Sequence, residues 1–317
     1  MELVHNYQVG YNELLSEKFD CIIAASGFQK RCTFLAEHVS SGCSDKMVIS
    51  FEEQTNDAFR LENESIFVKL GYRIVKAMPD DGEEVERMVQ RLCRSKISRN
   101  INVLIDYSCM TKVWCASIVS HLLRHDFHAE RINIYFSYTP KKVNGVLHRS
   151  KLKCFEPLIF ENNQKPGKRP VTLVTGMNYN QGIIQELIGR VKPSDVYAFV
   201  PCFSHDTGYC QGVLDNNSNI LKNLPAEKIK KYPAEKPDQI SSMLTSVCMD
   251  LRLGSDVILA PNGPKTFGLA CILMSVRYPD IKTYDLRPKD EKIQADPGLP
   301  AGEPVILKSV FRIEEDE

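Results

Sequence analysis

The stretch LIDYSCMTKVW, Leu104 to Trp114, decides how the rest of the chain is read. An apolar run ends at Asp106, Ser108 and Thr111 add hydroxyls, and Lys112 adds a cation. Apolar residues then recur at helical spacing through Trp114, Ile118, Val119, Leu122 and Leu123. A buried run that gives way to a 3.6-residue repeat marks a strand passing into a helix. A lysine in the first helical turn sits poorly beside the positive end of the helix dipole. A bound anion would resolve that conflict, since free N–H groups and a nearby cation both favour negative charge there.

Working outward, the same strand–helix alternation covers the chain. In the first half, strands are predicted at 20–25, 46–51, 73–78, 103–105 and 132–137. Helices run to about Val39, over 58–70, over 82–94 and after Thr111. In the second half, strands are predicted at 171–174, 196–200, 229–232, 256–259 and 281–284. Helices there run through Val191, over 237–251 and over 269–276, with a polar insertion around HDTGYCQGVLDNNSN.

Four stretches match in the same order between the halves. SGFQKR corresponds to TGMNYN, MPDDGEEVERMVQRL to YPAEKPDQISSMLTSV, IDYSCMTKVWCASIVSHLLR to LAPNGPKTFGLACILMSVRY, and SYTPKK to DLRPKD. This order points to a duplication, with the boundary in the polar segment NNQKPGKRP from Asn162 to Pro170. The expected architecture is α/β, with two tandem Rossmann-like domains over 1–161 and 170–317. Each would be a mostly parallel sheet flanked by helices. Ligands of such sheets bind beyond the carboxyl ends of the strands, where the first and fourth turns lie. Two related domains side by side would bring those edges together, with a ligand held between the halves.

Composition narrows the function. The 317 residues carry 40 basic and 40 acidic side chains, a balance that argues against general duplex nucleic-acid binding. Eleven cysteines are scattered without a C-x-x-C pair and read as buried free thiols of a reducing compartment. Neither a signal peptide nor an apolar run of membrane-spanning length is visible, so a cytoplasmic protein without membrane contact is expected. The fingerprints G-x-G-x-x-G, G-x-x-x-x-G-K-[ST] and G-x-S-x-G are absent from the sequence, and no cofactor or metal is expected.

The turns hold the candidate ligand contacts. Ser26 and Gly27 end the first strand, with Lys30 and Arg31 close behind, a set suited to an anion. Thr175 and Gly176 take the same place in the second half, followed by Asn178, which suits a base or sugar better than a phosphate. At the fourth turns, Asp106 would hold the loop in shape while Ser108, Thr111 and Lys112 contact phosphate and ribose. Asn262 and Lys265 keep a related inventory in the second half.

The motif Asp106-x-Ser108-x-x-x-Lys112 resembles the [DN]-x-[ST]-x-x-x-[RK] signature of CARF domains, the Rossmann-like sensors of cyclic oligoadenylates in CRISPR-linked defence. The small-residue turn at Ser26 and Gly27 is similar to that family's other ligand loop. Two fused CARF-like units resemble SAVED domains, which sense cyclic oligonucleotides in related antiphage systems. The second-half turn NGPKTFG departs from the Asp/Ser/Lys order. The resemblance implies a regulatory sensor of a cyclic oligonucleotide that signals to a partner effector protein. Two alternatives stay open: a ring nuclease using the same pocket, and a non-catalytic assembly subunit of a defence complex.

Residues with catalytic potential are few. His205 and Asp206, with Tyr209 nearby, form the best candidate, a base and an acid on a polar loop. Arg31-x₆-His38 has the loose spacing of a HEPN ribonuclease motif but falls on the first Rossmann helix. His121, His125 and His128 lie on one helical face without a completing carboxylate, and Asp80, Asp81, Glu83 and Glu84 read as helix-start acids.

Overall fold

A computed structural model describes residues 2–39, 42–53, 57–93, 99–124, 129–141, 151–158, 169–289 and 298–312. The chain forms two compact units, Met1–Val143 with Gln294–Glu317, and Asn144–Ile293. Both are α/β, each a mixed sheet flanked by helices.

The first unit contains β1 (Glu2–Val9), α1 (Tyr11–Ser16), β2 (Cys21–Ser26), α2 (Phe34–His38), β3 (Lys46–Phe51), α3 (Ala58–Lys69) and β4 (Arg73–Ala77). It continues with α4 (Gly82–Cys93), β5 (Asn100–Asp106), α5 (Lys112–Arg124) and β6 (Arg131–Tyr138), and ends with β13 (Val305–Arg312). Its seven strands run in the order β1-β13-β6-β5-β2-β3-β4. The five from β6 to β4 are parallel, and β13 and β1 add antiparallel strands at one edge.

Burial explains these strands. CIIAAS is buried at every position and MVIS within β3 likewise, as expected of strands covered on both faces. Ile22, Ala24, Val48, Leu104 and Tyr135 share one face with Leu14, Leu35 and Phe67 of α1, α2 and α3. On the other face, the fully buried Trp114 of α5 packs on Phe51 at 4.5 Å and donates Nε1–H to the Met78 carbonyl at 2.8 Å. Helix α3 starts at Asp57, whose side chain accepts from the Arg60 N–H, and stops before Gly71, whose φ of 79° suits a residue without Cβ.

The second unit contains β7 (Leu152–Pro157), β8 (Val171–Gly176), α6 (Gln181–Val191), β9 (Asp195–Cys202), α7 (Thr207–Asn216), α8 (Ser218–Leu221) and β10 (Ile229–Pro233). It ends with α9 (Pro237–Gly254), β11 (Asp256–Ala260), α10 (Lys265–Arg277) and β12 (Lys282–Pro288). Its six strands run β10-β9-β8-β11-β12-β7, parallel except for β7. Helices α6, α7 and α8 pack on one face, and α9 and α10 on the other. Numbered along the chain within each unit, the five parallel strands have the order 3-2-1-4-5 in both.

The units do not follow the expected domain limits of 1–161 and 170–317. Strand β13, at the far end of the chain, lies between β1 and β6 of the first sheet, and β7 pairs with β12 of the second. Hydrogen bonding of edge strands to distant segments leaves no local trace in a sequence, and β1 mixes polar and apolar residues at a half-exposed edge. Among the described residues no helix is long and apolar enough to cross a membrane.

Candidate functional site

In the first sheet the chain departs in opposite directions from β2 and β5, which makes their junction the topological switch point. Crevices for ligands open at such points beyond the strand ends. The turns that meet there are the ones after β2 and β5, carrying Ser26, Gly27, Asp106, Ser108, Thr111 and Lys112. They adjoin closely: a Cβ on Gly27 would lie 3.5 Å from Cys109 Cβ.

Strand alternation sets what faces the crevice. Ser26 is paired in register with Ser50, and Asp106 with Ser137. All four continue the face begun by Ile22, Val48, Leu104 and Tyr135, so the apolar face ends in a polar row at the carboxyl edge. Two buried arginines and an asparagine brace this row. Arg31, 4% exposed, donates to the Ser108 carbonyl at 2.9 Å and the Thr139 carbonyl at 2.6 Å. Asn63 donates Nδ2–H to the Gly27 and Gln29 carbonyls at 2.9 and 3.0 Å, and Arg60 reaches Ser50, Glu64 and the Glu53 carbonyl.

Asp106 Oδ1 accepts from the Ser108 N–H at 3.0 Å and the Ser108 hydroxyl at 2.5 Å. Ser108 Oγ in turn accepts from the Thr139 N–H at 2.8 Å. Asp106 therefore shapes the turn as expected, and the Ser108 hydroxyl is engaged within the protein. Thr111 Oγ1 accepts from the Trp114 N–H at 3.0 Å, capping α5, and Lys112 opens that helix half-buried. Lys30 turns the other way, to Glu62 at 3.6 Å and the Phe59 ring at 5.5 Å, both on α3. Three fully buried hydroxyls, Ser26 Oγ, Ser137 Oγ and Thr139 Oγ1, have no hydrogen-bond partner. Unpaired polar atoms at that depth are costly, and a ligand along this carboxyl edge would offer them partners.

Cys32, beside this turn, donates to the Gln29 carbonyl and accepts from the Gly27 N–H. Burial and the neighbouring Cys109 push its thiol well above the usual range. The group serves as a turn brace rather than a nucleophile.

The second sheet has its switch point between β8 and β11. Thr175 Oγ1 donates to the Ala260 carbonyl at 3.3 Å, and an added Cβ on Gly176 would lie 2.5 Å from the Asn262 carbonyl oxygen. Asn178 donates Nδ2–H to Asn262 Oδ1 at 2.9 Å, and its own Oδ1 accepts from the Asn180 N–H. The Asn262 Nδ2 group, 6% exposed by residue, and the Tyr232 hydroxyl, 1% exposed, have no partner. Tyr232 Oη lies 3.4 Å from where a Cβ on Gly263 would stand. Lys265 begins α10, which has no side-chain cap.

Asp206 accepts from the Tyr209 N–H at 3.0 Å and caps α7. The carboxylate beside His205 is Glu235, 2.6 Å from Nδ1 and 30 positions away. Sequence reading missed Glu235 because nothing local relates the loops after β9 and β10, which meet only through strand pairing. Tyr209 is buried edge-on against Tyr179 and Phe203. Cys202 and Cys210 form a disulfide, correcting the expectation of free thiols for this pair.

The exposed His38 donates Nδ1–H to the Phe34 carbonyl one turn back on α2, while Arg31 is a buried brace. His121 contacts Glu86 at 3.4 Å, and His125 and His128 lie outside the described residues. Among the described residues no group of three His, Cys, Asp or Glu side chains is placed to hold a metal ion. The sequence matches no family model and none of the curated proteins with which it was compared.

Proposed function

We propose that the chain is a regulatory sensor or subunit that binds a nucleotide-type anionic ligand, a cyclic oligonucleotide in the first instance, and signals to a partner effector protein in antiphage defence. The observation that carries this reading is the row of buried, unpaired hydroxyls along the carboxyl edge of the first sheet, Ser26 at the switch point and Ser137 and Thr139 on the far side of β5. They border the turn that leads into Lys112 and the start of α5. Phosphate and ribose supply acceptors and donors that match hydroxyls, helix-terminal N–H groups and a lysine. The second unit offers unpaired amide and phenol groups at the carboxyl edge of its own sheet, Asn262 and Tyr232, which can donate to sugar or phosphoryl oxygens. The shared 3-2-1-4-5 strand order supports reading the two units as CARF-like domains derived from one ancestor.

Native mass spectrometry of the full chain with a panel of cyclic and linear oligonucleotides tests the reading. Retention of one intact ligand, weakened in Lys112→Ala and Ser26→Ala, supports it. Absence of any bound member overturns it in favour of an assembly subunit.

A further inference from the structure

The loops after β9 and β10 bring together Ser204, His205 and Glu235. Glu235 Oε1 lies 2.6 Å from His205 Nδ1, and Oε2 accepts from the Ser204 N–H at 3.0 Å and its hydroxyl at 2.5 Å. The carboxylate thus fixes the imidazole with Nδ1–H toward Glu235 and leaves Nε2 as the basic nitrogen. Although burial raises the Glu235 carboxyl, its bonds to Ser204 and His205 prevail and hold it below the ordinary carboxylate range. It is the anionic partner that an imidazole gaining a proton requires.

Glu235 sits between Ser204 and His205, so the serine hydroxyl anchors the carboxylate and is not aligned on the imidazole. A serine-nucleophile triad is therefore not formed. The His205 side chain is 61% exposed, open to a substrate. The Cys202–Cys210 bond spans the loop that carries it, and Phe203 packs at 5.4 Å from its ring.

The same edge supplies an anion site. The Ala234 carbonyl, next to Glu235, accepts from Thr266 Oγ1 at 2.8 Å, which ties this loop to the first turn of α10. The 13-residue helix α10 starts without a side-chain cap, beside the buried and unpaired Asn262 Nδ2 and Tyr232 hydroxyl. Helix N–H groups, an amide donor, a phenol donor and the charge of Lys265 together favour a phosphoryl group.

We propose that His205, held by Glu235, is the general base of a phosphodiester-hydrolysing site at the carboxyl edge of the second sheet. Water oxygen bonds to phosphorus as its proton passes to His205 Nε2, and the phosphorus–oxygen bond to the leaving group breaks with its electron pair on that oxygen. An alcohol leaving group takes the proton back from the imidazolium. Glu235 is a positioning residue. The inference rests on the nucleotide-type ligand proposed above.

Hydrolysis of bis(p-nitrophenyl) phosphate by the full chain, run beside the oligonucleotide binding panel, tests it. The wild type releases p-nitrophenolate, and His205→Ala lowers kcat by about a hundredfold or more, the range of a lost general base. Added imidazole restores part of the His205→Ala rate, and Glu235→Gln lowers kcat with KM unchanged. No release by the wild type, a full rate in His205→Ala, or no rescue by imidazole overturns the proposal. If an oligonucleotide is retained intact while no hydrolysis occurs, the base is rejected and the binding reading stands. If hydrolysis depends on His205 but no oligonucleotide binds, the base stands and the nucleotide reading falls.

Discussion

The guanidinium of Arg31 donates to the main-chain carbonyl of Ser108 at 2.9 Å across a separation of 77 residues, locking the turn after β2 to the turn after β5. With its second bond, to the Thr139 carbonyl, one buried cation holds three loops of the carboxyl edge in register. The ligand crevice proposed for the first unit is therefore shaped before any ligand arrives.

Replacing Arg31 by Met removes these donors and leaves two carbonyls unpaired. A loss of about 2–4 kcal/mol is expected from charged hydrogen bonds and orphaned acceptors, measured by urea unfolding. Arg31→Lys is expected to restore little, because one ammonium cannot reproduce the planar fork. Equal stability of Arg31→Met and wild type would remove the brace from the account.

Ser26 and Ser108 should respond in opposite ways. Ser108→Ala strips the acceptor from the Thr139 N–H and a donor from Asp106, costing about 1–3 kcal/mol. Ser26→Ala deletes a buried hydroxyl without a partner and should leave stability within about 0.5 kcal/mol, or raise it, while weakening ligand retention. Paired urea titrations and native mass spectrometry separate the structural serine from the binding one.

Gly176 is held at van der Waals contact with the opposing turn. In Gly176→Ala the new methyl would stand 2.5 Å from the Asn262 carbonyl oxygen and 2.9 Å from the Phe267 ring. Overpacking of this kind costs about 1–3 kcal/mol. A lower unfolding midpoint is expected, and one unchanged from wild type would show that the turns part easily.

Burial pushes the Cys248 thiol up to about 12 from the ordinary 9.0. An acid whose folded value is raised keeps its proton more tightly in the folded state. Its contribution is whole below pH 9 and is lost as pH rises from 9 toward 12. The urea midpoint should fall over that alkaline window, and less steeply in Cys248→Ala. A slope identical in the two proteins would assign the alkaline loss to other groups.

The strand at 46–51 and the helix starting at residue 58 were legible residue for residue, because both depend on local burial and a capping aspartate. The Asp106 turn was legible too: an acid, two hydroxyls and a lysine at a strand–helix junction carry their own geometry within a few residues. Arg31 read as an anion contact beside the first turn, since no local pattern tells a buried brace from a ligand-facing cation. Lys30 was read toward the crevice but leans on Glu62 and Phe59, one helix away.

Alternation of apolar runs and helical periods by itself determined that this is an α/β chain, with polar strand–helix turns after the first and fourth predicted strands of each half. Only the tertiary structure decided that β13 completes the first sheet, that β7 belongs to the second, and that Glu235 stands behind His205. Periodicity records which side of its own element a residue buries. The partner it buries against is chosen by strand pairing and packing between segments far apart along the chain, and those contacts exist only once the chain has closed upon them.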